Sequence, residues 1–195
     1  MNEPHSPAAK PAVRQPPEGM NIPLAAVSGF SNSGKTTLLE KLIAEMRGRG
    51  IRVGTIKHDV HGFEMDRTGK DTWRHKQAGA SATIISSPRQ IGMVMDVDHD
   101  HDPIELAGLM TGMDLILLEG YKNAVIPKIE VFRSAVSRKL HCENDPNLLA
   151  VVTDSVHEIH VPCFGHDDIA DMADFLIRKL GVVGLSREHH AAAGQ

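Results

Sequence analysis

The feature that most constrains the fold of this chain is the segment Gly29-x-x-x-x-Gly34-Lys35-Thr36, which matches the phosphate-binding loop (P-loop) pattern. The apolar run 24–28 before it predicts a buried strand, and the pattern over 35–49 predicts an amphipathic helix. Phosphate binding requires this order of strand, loop and helix, because the loop glycines allow N–H groups to surround phosphate oxygens and the helix N-terminus attracts anions.

Several side chains of this segment have separate predicted roles. Lys35 contacts the β- and γ-phosphates, Thr36 offers its hydroxyl to Mg²⁺, and Thr37 contacts the α-phosphate. The predicted nucleotide-binding residues of the segment are Gly29, Ser31, Asn32, Ser33, Gly34, Lys35, Thr36 and Thr37.

A second predicted element of this site is the segment from Asp114 to Gly120, an apolar strand that ends in a carboxylate. Ligands of parallel α/β sheets collect at the carboxyl ends of strands. Glu119 therefore has the position to bind Mg²⁺ through water or to polarise an attacking water, and Gly120 allows close backbone approach to a γ-phosphate. The alternative is that Glu119 only caps the next turn.

A third candidate is Asp59, which follows the predicted strand 51–57. Its carboxylate could bind Mg²⁺ or position the attacking water, so that both Glu119 and Asp59 are candidate metal-binding and catalytic residues. The alternative for Asp59 is a solvated acid in a loop.

The chain alternates apolar strands with helical patterns between residues 23 and 183, which predicts an α/β fold on a mainly parallel, twisted sheet with helices on both faces. The predicted strands are 24–28, 51–57, 82–86, 92–96, 115–118, 128–132 and 148–152, and the predicted helices are 35–49, 71–78, 103–110 and 167–180. Residues 1–22 are Pro-rich without apolar periodicity and predict a disordered tail, and 184–195 predict a flexible C-terminal tail.

Charge and composition limit the class of partner. A net charge of −4 argues against nucleic acid or a membrane surface, since either favours a basic face. No apolar run approaches the length of a membrane helix, and we expect a cytoplasmic protein. Two separated cysteines favour free thiols over a disulfide. The stretch Asp98-His-Asp-His-Asp102 is read as an exposed loop rather than a zinc site, since no Cys pair is near.

A larger pattern surrounds these residues. The chain closely resembles the MobB family, the molybdopterin-guanine dinucleotide biosynthesis adapter proteins, over about residues 23 to 180. The P-loop is shared by many families, and the more specific likeness lies in the blocks after it. These blocks are Gly54-Thr-Ile-Lys-His-Asp59, Gly69-Lys-Asp-Thr-Trp-Arg74, Leu117-Leu-Glu-Gly-Tyr-Lys122, Lys128-Ile-Glu-Val-Phe-Arg133 and Leu148-Leu-Ala-Val-Val-Thr-Asp154.

The resemblance implies a homodimer of P-loop NTPase fold that binds GTP with Mg²⁺ and has weak GTPase activity. It also implies a role beside the nucleotidyltransferase MobA, which attaches GMP from GTP to molybdenum-molybdopterin, and it makes molybdopterin a possible ligand. The basic residues Arg67, Lys70, Arg74 and Lys76 could receive a pterin phosphate or a γ-phosphate, or could form a solvated surface.

Guanine preference is implied mainly by the family. Asp154 follows a late strand, where a carboxylate could bind the guanine N–H groups, but the Asn and Lys of the common Asn-Lys-x-Asp motif are missing. A turn Asp is the alternative. Two other functions stay open at this point. A small-metabolite kinase would need an Arg-rich lid and an acceptor pocket. A nickel-type metallochaperone GTPase would need a Cys-Pro-His-like ligand set at a dimer interface, which Val161-Pro162-Cys163 does not match.

Overall fold

The computed structural model of this chain describes residues 22–184. The predicted tails, 1–22 and 184–195, lie outside these residues apart from positions 22 and 184. Contacts divide the described residues into two compact units. Residues 22–57 and 103–184 form the first, here called the sheet unit, and residues 58–102 form the second, here called the hairpin unit. No helix among residues 22–184 is long and apolar enough to cross a membrane.

The sheet unit contains six strands and three helices. Its strands are β1 (Leu24–Ser28), β2 (Val53–Lys57), β5 (Leu115–Glu119), β6 (Lys128–Val131), β7 (Leu148–Val152) and β8 (Cys163–Phe164). Its helices are α1 (Lys35–Gly48), α3 (Pro103–Ala107) and α4 (Ile169–Leu180). The hairpin unit contains α2 (Asp71–Gln77), β3 (Ala82–Ser86) and β4 (Ile91–Met95).

The six strands of the sheet unit lie in the order β2-β5-β1-β6-β7-β8, and every neighbouring pair is parallel. Side chains alternate between the two faces of each strand. On one face Val27 and Leu117 pack in the same core as Leu42 of α1 and Leu176 of α4. On the other face Ala26, Ile116 and Leu118 form a core with α3. The predicted sheet with helices on both faces is therefore confirmed.

The buried face of α1 and the C-terminal end of α4 follow from local signals in the sequence. The predicted apolar stripe of α1 is buried at Leu38, Leu39, Leu42 and Met46. Helix α4 ends at Leu180, and the next residue, Gly181, has a φ of 64°, the left-handed conformation that glycine adopts without a steric penalty. Helix α3 is shorter than the predicted 103–110 because Gly108 follows it, and the chain continues in tighter turns, with Met110 N–H donating to Ala107 O.

The hairpin unit is an antiparallel pair of strands with one short helix. Ile84 of β3 lies opposite Met93 of β4, so these two side chains and the alternate residues Ile91 and Met95 share one face. All four side chains are exposed, and we call them the apolar face of the hairpin. Lys76 of α2 donates to Asp96 at 2.6 Å and joins the helix to the end of β4. None of residues 58–102 is buried.

Candidate phosphate and metal site

The P-loop leaves β1 at Ser28 and leads directly into α1. Gly29 has a φ of 133°, and a Cβ built on it would lie 2.3 Å from the carbonyl oxygen of Val131 in β6. Gly34 has a φ of 100° and Asn32 a φ of 62°. These close approaches and left-handed conformations explain why the loop needs glycine at its first and last turns.

The side chain of Lys35 folds back over this loop. Its ammonium group donates to the carbonyl oxygen of Phe30 at 2.7 Å and to that of Gly29 at 3.1 Å. Burial lowers the pKa of Lys35; the nearby Glu119 carboxylate opposes this shift and Lys57 adds to it. The loop therefore holds a cationic group at the point where the sequence predicts contact with the β- and γ-phosphates.

Parallel pairing brings Thr36 and Glu119 together. Strand β5 lies between β1 and β2, with Glu119 beside Val27 on one side and Lys57 on the other. The Thr36 hydroxyl donates to Oε1 of Glu119 at 3.0 Å, and Nζ of Lys57 lies 3.9 Å from the same oxygen. A hydroxyl and a carboxylate are oxygen ligands of the type that Mg²⁺ prefers, so these two residues fit a magnesium ion.

Gly120 continues this edge of the site. It has a φ of 97°, and its N–H donates to Val27 O at 3.2 Å. The turn after β5 is thereby tied to the strand that carries the P-loop.

Asp154 lies at the carboxyl end of β7, as predicted, and its carboxylate is held by Ser134. The backbone N–H of Ser134 donates to Oδ1 at 2.8 Å and its hydroxyl to Oδ2 at 3.2 Å. The backbone hydrogen bond from Ser134 is the main cause that lowers the pKa of Asp154, and the hydroxyl adds to it. The carboxylate is thus ionised, exposed and oriented, although its role toward a base stays a prediction.

Arg133 is a residue at this site for which the sequence analysis predicted no role. Its Nε donates to the P-loop carbonyl of Ser33 at 3.1 Å, and its guanidinium lies against Gly34. Since the next residue, Ser134, holds Asp154, these two residues connect the P-loop to Asp154. The available signal was the position of Arg133 just after β6, the strand beside β1, where parallel sheets collect functional groups.

Asp59, the third predicted carboxylate, belongs to the hairpin unit. It follows β2 by two positions, it is exposed, and its Oδ1 accepts the backbone N–H of His61 at 2.9 Å. This is a local turn of the kind that Asp commonly forms in loops. The metal-binding and catalytic roles of Asp59 stay predictions.

Comparison with known proteins identifies the family. The sequence model described as "Molybdopterin guanine dinucleotide synthesis protein B" (MobB) matches residues 24–154, a range that includes the P-loop, Glu119 and Asp154. This chain belongs to the MobB family. The match confirms the resemblance that the sequence blocks indicated.

Relatives of this MobB-family chain agree with that assignment. It is 40% identical over 160 residues to the molybdopterin-guanine dinucleotide biosynthesis adapter protein of Haemophilus influenzae, covering 80% of this chain and 88% of the relative. It is 36% identical over 162 residues to the adapter protein of Escherichia coli, covering 80% and 92%. The crystal structure of a MobB homologue from Bacillus stearothermophilus superposes with a TM-score of 0.61 at 26% identity, covering 84% and 100%. The P-loop NTPase-like fold is thereby confirmed.

Proposed function

We propose that this chain is a GTP-binding adapter of molybdopterin guanine dinucleotide biosynthesis, which acts in the cytoplasm beside the nucleotidyltransferase MobA. The observation that carries the proposal is the P-loop with Lys35 folded over it and Thr36 bonded to Glu119, in a chain whose relatives are named adapter proteins of this pathway. Molybdopterin or molybdenum-molybdopterin is a further candidate ligand.

In this proposal the sheet unit holds the nucleotide and its metal ion. Backbone N–H groups of Gly29 to Thr36 and the Lys35 ammonium bind the phosphates, and Thr37 contacts the α-phosphate. Thr36 and Glu119 hold Mg²⁺, which neutralises phosphate charge when bound. Gly120 allows close approach at the γ-phosphate.

Base recognition is assigned to Asp154. An ionised carboxylate can accept both the N1–H and the exocyclic amine of guanine, whereas adenine offers no donor at its N1 position. The two hydrogen bonds from Ser134 keep the carboxylate in one orientation, which supports this assignment. Weak hydrolysis of GTP is assigned to Glu119, which would orient the attacking water, and Asp59 is the second candidate residue for this step.

The first test is nucleotide binding by the full chain. Lys35→Ala should abolish GTP binding without changing the far-UV circular dichroism, because only the charge at the phosphates is lost. Glu119→Ala should spare GTP binding and impair Mg²⁺-dependent hydrolysis. Undiminished GTP affinity in Lys35→Ala would exclude the assigned site.

The second test concerns the adapter role. MobA should be retained on the immobilised chain, and retention should differ between GTP-loaded protein and the Lys35→Ala variant. Stoichiometric phosphorylation of a pterin or nucleoside by the chain would instead support the kinase alternative.

We also propose that the protein is a homodimer and that the apolar face of the hairpin contributes to the interface. Four exposed apolar side chains on one face of a two-stranded sheet form a surface that association would cover. In light scattering coupled to size exclusion, Ile84→Asp should shift the protein toward monomer. The matched control Val183→Asp changes an exposed valine of the sheet unit and should leave the mass unchanged; a monomeric wild-type protein would refute the proposal.

A further inference from the structure

A cleft of about 770 Å³ lies in the sheet unit beside the P-loop. Its walls are the connection between β5 and β6 and the loop between β6 and β7, and Phe30 of the P-loop closes one side. The residues that matter for its chemistry are Phe30, Lys122, Val125, Lys128, Lys139 and His141. The volume is within the range of about 300–1,000 Å³ found for small-molecule sites.

One wall of the cleft is held in place by a buried carboxylate. Glu130 is fully buried and accepts the backbone N–H groups of His141 at 2.6 Å and Cys142 at 2.7 Å. A buried carboxylate is tolerated only when such bonds satisfy it. The loop from β6 to β7 is therefore anchored to the sheet, and the cleft is shaped before any ligand arrives.

The floor of the cleft contains a buried ammonium group. Lys128 is 1% exposed, and its Nζ donates to Ala124 O at 2.5 Å and to Oδ2 of Asp145 at 2.6 Å. An ammonium group carries three N–H donors, so one donor of Lys128 lacks a partner among residues 22–184. Burial alone would raise the pKa of Asp145, but the bonds from Lys128 and Asn147 outweigh it and lower the pKa, which keeps this carboxylate ionised.

The mouth of the cleft is basic and partly aromatic. The lining includes the exposed Lys122 and Lys139. Asp145 is bonded to Lys128, and the other carboxylate among the lining residues is Glu143. The rings of Phe30 and His141 meet edge to face with centroids 5.6 Å apart. Side chains of this kind suit a ligand with a flat ring and an anionic group.

We propose that this cleft, which borders the phosphate loop at Phe30, is a second ligand site for a flat heterocycle that carries a carboxylate or phosphate. The anionic group would accept a hydrogen bond from the remaining N–H of Lys128 and would be attracted by the charges of Lys122 and Lys139. The heterocycle would lie against Phe30 and His141. The proposal rests on the proposed function only in its choice of a pterin as probe.

The test is a calorimetric titration of the full chain with pterin-6-carboxylate, with unsubstituted pterin in parallel. The carboxylate compound should bind more tightly. Val125→Trp, which fills the cleft from an exposed position, should weaken binding by about tenfold or more. Val183→Trp is the matched control, and Lys139→Glu should weaken binding about threefold to tenfold at low salt.

Absence of binding to the wild-type chain, or equal binding by wild type and Val125→Trp, would overturn the proposal. GTP is titrated into the same samples. If the wild-type chain does not bind GTP, the proposed function is refuted, but the proposal for the cleft is not. Retained GTP binding by Val125→Trp would show that this variant is folded.

Discussion

Leu117 in β5 and Ile84 in β3 are both apolar residues in the middle of a strand, but their surroundings are opposite. Leu117 is 0% exposed and packs in a core with α1 and α4, whereas Ile84 is 64% exposed. Strand β5 has a strand on each side and helices on both faces, so every side chain from Leu115 to Leu118 is buried. Strand β3 has one neighbouring strand.

The two units therefore obtain their stability in different ways. The sheet unit buries its apolar residues within the chain, as parallel sheets require. The sheet of the hairpin unit has only two strands, and a two-stranded sheet is marginally stable in water when isolated. The apolar face of the hairpin is also exposed. This contrast gives a physical reason for the proposed dimer, since association would bury side chains that the hairpin leaves in solvent.

The largest effect that follows from the contrast is on stability. Leu117→Ala should lower the free energy of unfolding of the sheet unit by about 2–5 kcal/mol, because the deleted methyl groups leave a cavity in a closed core. Ile84→Ala should change it by about 0.5 kcal/mol or less. Urea titrations followed at 222 nm, where α1 and α4 dominate the helix signal, measure both; equal losses would remove the distinction between the units.

A second prediction uses the single tryptophan of the chain, Trp73, which lies in α2 of the hairpin unit. Because no residue of this unit is buried, Trp73 fluorescence should change at lower urea than the signal at 222 nm. Two separated midpoints would show that the chain unfolds in two steps. Coincident midpoints at all protein concentrations would show that the two units unfold as one.

Strands β1, β5 and β7 were predictable because their apolar runs are uninterrupted and end at a polar residue. Strand β8 was not predicted by the sequence analysis. It has two residues and follows Pro162, and it is defined by the bonds from Val151 N–H to Pro162 O and from Thr153 N–H to Phe164 O. Such a strand exists only because β7 offers it a free edge, and a pattern within the sequence does not contain that information.

The candidate site likewise contains some residues that the sequence pattern predicts and others that only the fold reveals. The P-loop is a contiguous motif, and the position of Glu119 follows from its place at the end of an apolar strand. Arg133 reaches Ser33 across 100 positions of sequence, and the burial of Lys128 and Glu130 depends on how a loop covers β6. Charged residues inside a strand usually indicate an exposed face, so the pattern pointed away from their actual surroundings.

The third prediction compares how substitutions in the two units change GTP binding. Arg133→Ala should weaken GTP binding about tenfold, because the loss of the charge-assisted bond to Ser33 O costs about 1.5 kcal/mol. Arg133→Lys should recover part of this affinity. Asp59→Asn in the hairpin unit should leave GTP affinity unchanged and lower the hydrolysis rate. Arg138→Ala, an exposed arginine in the loop after β6, is the control, and a larger loss of affinity from Asp59→Asn than from Arg133→Ala would reverse the assignment.

The smallest effect concerns local opening of the sheet unit at Cys142. Burial, with Glu130 nearby, raises the pKa of this thiol to about 11, so about one molecule in a thousand carries the thiolate at pH 8. In a Cys163→Ser background, labelling of Cys142 should therefore be slow and should require release of the loop that Glu130 anchors. Glu130→Gln replaces one acceptor oxygen of that anchor and should accelerate labelling, while Glu143→Gln, an exposed residue of the same loop, should not. Rapid labelling of Cys142 with Glu130 unchanged would mean that this part of the sheet unit opens as readily as the hairpin unit. The two units would then not differ in local stability at this loop.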